Sequence, residues 1–286
     1  MEFFLNLLRS VAYGIIEGVT EWLPISSTGH MILAEQVLKF SFSAEFMEMF
    51  RVVIQLGAIL AVVVLYFKKL WPFCADNGRD SGFSRHFRWP VVRLWCKIIV
   101  ACVPAAVLGL LLDDWLDAHL YNSITVALML IIYGIAFILI ERRPRVPTTT
   151  KLSRITYKQA LIVGAWQVLA LIPGTSRSGS TIIGGLLCGM SRPAASQFTF
   201  FLAIPVMAGA SGLKLVKFLA KGGVFTLGEV GTLLVGCIVA FVVSILAIRF
   251  LMDYVKKHTF TVFGWYRIAL GILVLGIWAL QSFVLA

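Results

Sequence analysis

The stretch EGVTEWLPISSTGH, residues 17–30, interrupts an apolar run that covers residues 3–38 and so limits how this part of the chain can cross a membrane. Without its carboxylates, proline and hydroxyl side chains, this run would have the composition of a membrane-spanning helix. A second apolar run, residues 157–190, is interrupted in the same way by PGTSRSGS at residues 173–180. Irregular polar backbone at membrane depth survives only inside protein or beside a water-filled cavity. Both runs are therefore predicted to form re-entrant helical hairpins.

The composition of the whole chain indicates a lipid environment. Of the 286 residues, 59% are hydrophobic and only 14% are charged, and the mean hydropathy is +0.91. A soluble domain would carry more polar surface, and apolar runs that are continuous rather than alternating exclude a β-barrel. The predicted fold class is an all-α integral membrane protein with two re-entrant helical hairpins and six transmembrane helices, near 52–67, 94–112, 124–140, 198–213, 230–248 and 266–285.

The two interrupted runs also resemble each other. A shift of 150 positions matches five residues without a gap: Gly14 with Gly164, Glu17 with Gln167, Ser26 with Ser176, Gly29 with Gly179, and Ile32 with Ile182. Each interrupted run is followed by three spanning runs, and an odd number of crossings inverts the second copy in the membrane. We therefore predict a single membrane domain, residues 1–286, made of inverted-topology repeats over approximately 1–145 and 151–286.

The formal net charge of +11 is concentrated in loops between apolar runs. Lysine and arginine cluster near residues 68–93 and 141–158, whereas residues 113–121 contain three aspartates and neither lysine nor arginine. The positive-inside rule places the first two loops in the cytoplasm and the third outside, so the first hairpin should open outward. Lysines near residues 214–221 then fall outside, against the rule. We expect membrane lipids, and no nucleic acid, as partners of this basic surface.

Glu17 and Glu21 form the first candidate site. They are four residues apart, so a helix presents both on one face. A charge at bilayer depth costs about 2.5–3.5 kcal/mol, and two carboxylates repel each other unless a positive group lies between them. The pattern favours a divalent-cation site, or a general base with a metal partner. The alternative is a pair of helix-end carboxylates that face water at the membrane interface.

The hydroxyl cluster after Pro24 is the second candidate site. The proline ends the first half-helix, and Ser26, Ser27 or Thr28 can cap the next one. A helix N-terminus offers free N–H groups and a positive dipole end to a phosphate. Ser27 and His30 are three residues apart, so we expect the imidazole to reach back towards the hydroxyl as a nucleophile beside a base or acid. The alternative is an ordinary cap beside a structural histidine.

The second interruption adds an arginine at membrane depth. Arg177 lies between Ser176 and Ser178, and its planar guanidinium can grip two phosphate oxygens at once. The half-helix that includes Thr181 then presents a second N-terminus to an anion. The alternative is an arginine that only neutralises one of the two glutamates. Either role brings the two hairpins together around one buried pocket, which suits a phosphorylated substrate with a lipid tail.

These motifs resemble a known family. EGVTEWLPISSTGH looks like the first signature of the bacterial undecaprenyl pyrophosphate phosphatase, or bacitracin-resistance, family; PGTSRSGST at 173–181 looks like the second, and FRVVIQLGAIL at 50–60 resembles the stretch between them. The resemblance covers essentially the whole chain. It implies hydrolysis of the lipid carrier of cell-wall synthesis in the bacterial inner membrane, dependence on Mg²⁺ or Ca²⁺, and pairing as a homodimer. The family's functional positions match Glu17, Glu21, Ser27, His30 and Arg177.

Two other functions compete with this one. Lipid phosphatases of the phosphatidic-acid type need a histidine six residues after the motif arginine, and that position is Ile183 here. Inverted repeats also suit a transporter of polyprenyl phosphate, alone or beside catalysis, although transport alone needs no serine–histidine pair. Whether Ser27, His30 or a metal-bound water attacks the phosphorus is left open by the sequence.

Overall fold

The computed structural model describes residues 2–75, 78, 82–143 and 146–284. In these ranges the regular structure is helical, apart from two isolated bridges. The α-helices are α1 (Glu2–Thr20), α2 (Ser27–Val37), α3 (Ala44–Val53), α4 (Gln55–Leu65), α5 (Phe67–Leu70), α6 (Trp89–Leu120), α7 (Ser123–Arg142), α8 (Tyr157–Val168), α9 (Arg177–Leu187), α10 (Arg192–Ala220), α11 (Leu227–Lys257) and α12 (Thr261–Val284).

Six helical segments are long and apolar enough to cross a membrane, which confirms the predicted number. They are Ala44–Leu65, Trp89–Leu112, Ser123–Arg142, Arg192–Ala220, Leu227–Lys257 and Thr261–Ser282. The chain is thus a multi-pass helical membrane protein.

The boundaries of the spans differ from the predicted apolar runs at several points, including the start of the first span and residues 113–121. The first span starts at Ala44, within the expected loop, because its charged residues have partners: Arg51 pairs with Glu35, and Glu48 accepts a bond from Lys214 at 2.6 Å. The expected loop at 113–121 is helical as far as Leu120, since aspartate is compatible with a helical turn.

Each interrupted run forms two helices that pack against each other, α1 with α2 and α8 with α9. The breaks fall at residues 21–26 and 169–176, where proline and the hydroxyl cluster were expected to end the helices. Both runs are therefore helical hairpins. Whether each hairpin enters and leaves the membrane on the same side stays a prediction.

The helices of the two halves pair in matching ways. Helix α1 packs along α11, and its counterpart α8 packs along α6, while α7 crosses α12. At this last crossing, a Cβ added to Gly134 would lie 2.7 Å from the carbonyl oxygen of Gly264, and the reverse distance is also 2.7 Å. Such close approach needs glycine on both helices. The reciprocal contact agrees with a repeat, and the inversion of one copy relative to the membrane stays a prediction.

The largest apolar cluster lies behind the two breaks. Trp22 of the first break is completely buried and meets Phe200 of α10 edge to face, with ring centroids 5.3 Å apart. Phe198 and Phe201 are also fully buried in this cluster. Aromatic pairs of this geometry add about 0.5–1.5 kcal/mol beyond the burial of their area. The packing holds the first break firmly against α10.

Candidate active site

Two serines with unusual backbone begin the helices that carry the site. Ser26 and Ser176 have φ of 72° and 71°, and they are the non-glycine residues with positive φ in the described ranges. Each accepts a hydrogen bond from a glycine three residues on, Gly29 N at 3.4 Å and Gly179 N at 3.2 Å. Such conformations cost of order 1–3 kcal/mol and persist only where the surroundings enforce them. The two strained caps are 150 residues apart, which is the shift at which the two interrupted runs match in sequence.

An ion pair joins the two breaks. Arg177 donates from Nη2 and Nε to Oε1 of Glu21, at 3.0 and 3.2 Å, and the side chains are only 10% and 8% exposed. Its Nη1 donates to the carbonyl of Thr199 at 3.0 Å, and its guanidinium lies 5.9 Å from the Trp22 ring. A guanidinium has five N–H donors, so these three bonds leave two for a ligand. The predicted neutralising contact is therefore present, and phosphate-binding capacity remains.

The other oxygen of the same carboxylate holds the candidate nucleophile. Ser27 Oγ donates to Glu21 Oε2 at 3.1 Å. Ser27 is the first residue of α2 and is half-buried, so its hydroxyl lies among the free N–H groups of a helix N-terminus. Glu21 is thus placed to accept the proton of Ser27.

His30 occupies a different place from the one expected. Its Nδ1 lies 2.7 Å from the carbonyl oxygen of Ser26, and its Nε2 lies 2.7 Å from the hydroxyl of Tyr266. Since a carbonyl can only accept, we assign the ring proton to Nδ1, and Nε2 accepts from Tyr266. The expected contact between His30 and the Ser27 hydroxyl is therefore replaced by these two bonds. The His30 and Tyr266 rings also stack, with centroids 5.6 Å apart.

Glu17 is buried and incompletely bonded. It is 1% exposed, and its Oε1 has no hydrogen-bond partner in the described part of the chain. A buried carboxylate oxygen without a partner is costly, and one turn further along the chain Glu21 supplies a second carboxylate. The described residues hold no cluster of three or more histidine, cysteine or acidic side chains arranged for a metal ion. A cation here would need oxygen ligands from the substrate or water, which suits Mg²⁺.

The remaining predicted phosphate-binding hydroxyls mostly brace the loops. Ser178, 1% exposed, donates to the carbonyl of Leu23 at 3.4 Å and lies 3.2 Å from Ser176 Oγ. Thr181, fully buried, donates to the carbonyl of Arg177 at 2.9 Å. Ser26 is also fully buried, whereas Thr28 and Ser176 are half-buried. The structure therefore leaves Thr28 and Ser176 as the more accessible hydroxyls of the set.

Arg267 was missed by the sequence analysis. It is completely buried within α12 and donates to main-chain carbonyls of both breaks. A charged residue inside a spanning run is itself a signal of function, and that signal was available in the sequence. What the sequence could not provide were the distant carbonyls that receive its bonds.

These features define the class of protein: a multi-pass helical membrane protein whose two broken hairpins assemble a buried serine–carboxylate–arginine site suited to phosphate chemistry. The chain belongs to the family described as bacitracin resistance protein BacA, whose model matches residues 10–273. The resemblance noted from the motifs is thereby confirmed.

Curated relatives match over almost their full length. A protein of Enterococcus faecalis is 60% identical over 277 residues, which cover 96% of this chain and 98% of that protein. One of Streptococcus gordonii is 56% identical over 283 residues, with 98% of both chains covered. One of Lactococcus lactis subsp. cremoris is 54% identical over 284 residues, with 98% and 100% covered. Each is named undecaprenyl-diphosphatase.

Proposed function

We propose that this protein hydrolyses undecaprenyl pyrophosphate to undecaprenyl phosphate and inorganic phosphate. It thereby recycles the lipid carrier of peptidoglycan synthesis and confers resistance to bacitracin. Family membership and relatives that carry the name undecaprenyl-diphosphatase support this proposal. The observation that carries it is the Glu21 carboxylate, which holds Ser27 on one oxygen and Arg177 on the other.

The geometry suggests how the reaction runs. As Ser27 Oγ attacks the terminal phosphorus, Glu21 takes the hydroxyl proton, the bridging P–O bond breaks, and undecaprenyl phosphate leaves. The departing undecaprenyl phosphate takes this proton from Glu21, which becomes a carboxylate again. Water then attacks the phosphorus of the phosphoserine while Glu21 accepts a proton from it; the Oγ–P bond breaks, phosphate leaves, and Glu21 returns the proton to Ser27 Oγ. In the alternative route Glu21 activates a water that attacks directly. Trapping a phosphorylated Ser27 by rapid acid quench and mass spectrometry distinguishes the two routes.

Arg177 stabilises the negative charge that moves during the transfer. Its guanidinium is held from behind by the Thr199 carbonyl, so the fork is fixed before substrate arrives. Donors that are preorganised in this way need no rearrangement in the transition state, which makes them effective electrostatic catalysts. The N-terminal N–H groups of α2 and α9 would supply further hydrogen-bond donors to phosphate oxygens.

We further propose that the reaction depends on a divalent cation, Mg²⁺ or Ca²⁺. Glu17 and Glu21 would hold it, and the unpartnered Oε1 of Glu17 is the observation that supports this assignment. When bound, the cation would screen the negative charge of the pyrophosphate. Because Glu21 already binds Arg177 and Ser27, Glu17 offers the freer ligand.

We place the protein in the bacterial cytoplasmic membrane with the site open to the periplasmic face. The charge distribution supports this orientation, with basic residues near 68–93 and 141–158 on the cytoplasmic side. An impermeant thiol reagent tests it on single cysteines at the exposed positions Lys39 and Lys151 in intact cells. Labelling at 39 and not at 151 is expected, and the reverse pattern would contradict the orientation.

The homodimer is also a proposal from the family resemblance, and the mass of the purified protein in detergent tests it.

Catalysis is tested with purified protein. Phosphate release from undecaprenyl pyrophosphate in detergent is measured beside movement of fluorescent polyprenyl phosphate across vesicles. Release in detergent, where no second compartment exists, is the expected result. Translocation without release would instead support a transporter.

A further inference from the structure

Arg267 of α12 is a fully buried arginine that bridges the two breaks. Its Nη1 donates to the carbonyl of Pro24 at 3.3 Å, and its Nη2 donates to the carbonyls of Gly174 and Thr175, both at 2.9 Å. Longer contacts, of 3.4–3.5 Å, reach the carbonyls of Met129 and Leu130 in α7. One side chain therefore contacts both hairpins and the helix between them.

No carboxylate neutralises this guanidinium in the described part of the chain. The ion pairs there involve other arginines and lysines. The guanidinium of Arg267 lies over the ring of Tyr133, 5.5 Å from its centroid. Burying a charge without a counter-charge is expensive, and a side chain that only filled space could be apolar. The bonds to the breaks are what an apolar residue could not supply.

The carbonyls that Arg267 binds are next to the strained caps. Pro24 lies two residues before Ser26, and Thr175 lies one residue before Ser176. Hydrogen bonds to these carbonyls restrict the backbone conformation on one side of each cap. Serine keeps a positive φ only where its surroundings impose such a restriction. Gly179 completes the arrangement, since a Cβ there would lie 3.2 Å from Nη1 of Arg267.

We infer that Arg267 is a positioning residue that locks the two hairpin breaks together and so sets the separation between Ser27–Glu21 and Arg177. The expected effect of Arg267 on turnover rests on the proposed function, whereas its expected effect on the position of the hairpins is independent of that function. A lysine has the charge but only one nitrogen, so it cannot reproduce the bonds that Nη1 and Nη2 of Arg267 make to the two breaks in this geometry.

The first experiment measures the hairpins without any substrate. Spin labels are attached at Val37 and Leu187, the exposed last residues of α2 and α9, after the five native cysteines are replaced by alanine. We expect one narrow distance distribution in the parent and a broad or shifted one in Arg267→Lys and Arg267→Met. The control Arg249→Met, at an exposed position of α11, should match the parent. A distribution in Arg267→Met with both the mean distance and the width of the parent would overturn the inference.

The second experiment measures phosphate release in the same variants. In properly inserted Arg267→Lys we expect kcat to fall by about 100-fold, the scale of a small misplacement of reacting groups. KM should change much less, because a small misplacement of the reacting groups weakens interactions made in the transition state more than interactions made in the ground state. Parental kcat per folded molecule would contradict the inference. If the parent itself releases no phosphate, the proposed function fails while the distance measurement still stands.

Gly179→Ala keeps the test valid if the Arg267 variants do not fold. Its added methyl presses on Nη1 while the charge and the arginine both remain. We expect a broadened distance distribution and a lower kcat from this variant as well. A folded Gly179→Ala protein with the parent's distribution and the parent's kcat would count against the lock.

Discussion

Arg177 and Glu21 are 156 residues apart in the chain and form an ion pair with Nη2 and Oε1 separated by 3.0 Å. The contact closes the site from both halves of the protein, since neither break contains both partners. It also means that an arriving pyrophosphate meets a guanidinium that is already oriented. Tests of either residue therefore have to separate a role in phosphoryl transfer from mutual charge neutralisation.

Arg177→Lys is expected to insert normally and to lose turnover by at least about 100-fold, the scale of a lost transition-state donor. Lysine keeps the charge beside Glu21 but cannot offer paired donors to phosphate oxygens. The measurement is kcat of the purified variant, normalised to folded protein.

Arg192→Lys is the matched control for this variant. Arg192 also pairs with a glutamate, donating from Nε to Glu141 at 2.8 and 3.1 Å, but it lies at the start of α10 and outside the proposed site. Its kcat should stay close to that of the parent. Near-normal turnover in Arg177→Lys would contradict a direct role in binding phosphate and would show that Arg177 only neutralises the charge of Glu21.

Ser27 and Glu21 should behave as one unit. Ser27→Ala and Glu21→Gln are each expected to lower kcat by about 100-fold or more, and the double variant should lose little beyond the worse single. The physical reason is the 3.1 Å bond through which Glu21 receives the serine proton. A double-variant cycle on kcat measures this coupling.

His30 provides the comparison for that cycle. His30→Ala should also lower kcat, but its loss should combine with that of Ser27→Ala more nearly additively, because both ring nitrogens bond elsewhere. Strong coupling of Ser27 to His30 together with weak coupling to Glu21 would show that the two side chains rearrange when substrate binds.

Glu17→Gln is expected to weaken cation binding and to raise the Mg²⁺ concentration needed for half-maximal phosphate release. The change removes the negative charge of a carboxyl group whose Oε1 has no hydrogen-bond partner among the described residues. Titration calorimetry with Mg²⁺ measures the binding step directly. The control is Gln167→Ala, which alters the repeat counterpart of Glu17, also buried and with both amide atoms unpartnered in the described structure. Equal cation affinity in Glu17→Gln and the parent would remove Glu17 from the proposed metal site.

Gly57→Ala should destabilise the folded protein, by the order of 1–3 kcal/mol or more that overpacking produces. A Cβ at Gly57 would overlap the carbonyl of Cys237 on α11, and the helix backbones cannot both move aside easily. Gly209→Ala is the control, because the described structure places nothing within 4 Å of a Cβ there. Thermal melting in detergent compares them. A Gly57→Ala melt equal to that of Gly209→Ala would contradict the close helix contact.

Much of the architecture was readable from local pattern. The six spans follow from apolar length, and the two interrupted runs follow from proline beside hydroxyl side chains, because lipid leaves an unpaired backbone few options. The ends of the spans were harder to predict from the sequence. Ala44 begins the first span although Glu48 and Arg51 follow it, and only their partners on other helices explain how those charges are accommodated.

The chemical groups at and beside the two breaks could be identified from local motifs alone: Glu17, Glu21, Ser27, His30 and Arg177. Motif spacing is a short-range property, so it can place a serine at a helix start or two glutamates on one face. The tertiary structure alone decided which groups meet. It paired Ser27 with Glu21 instead of His30 and turned His30 towards Tyr266, 236 positions away. Those pairings depend on how helices from both halves pack, which spacing within one motif cannot encode.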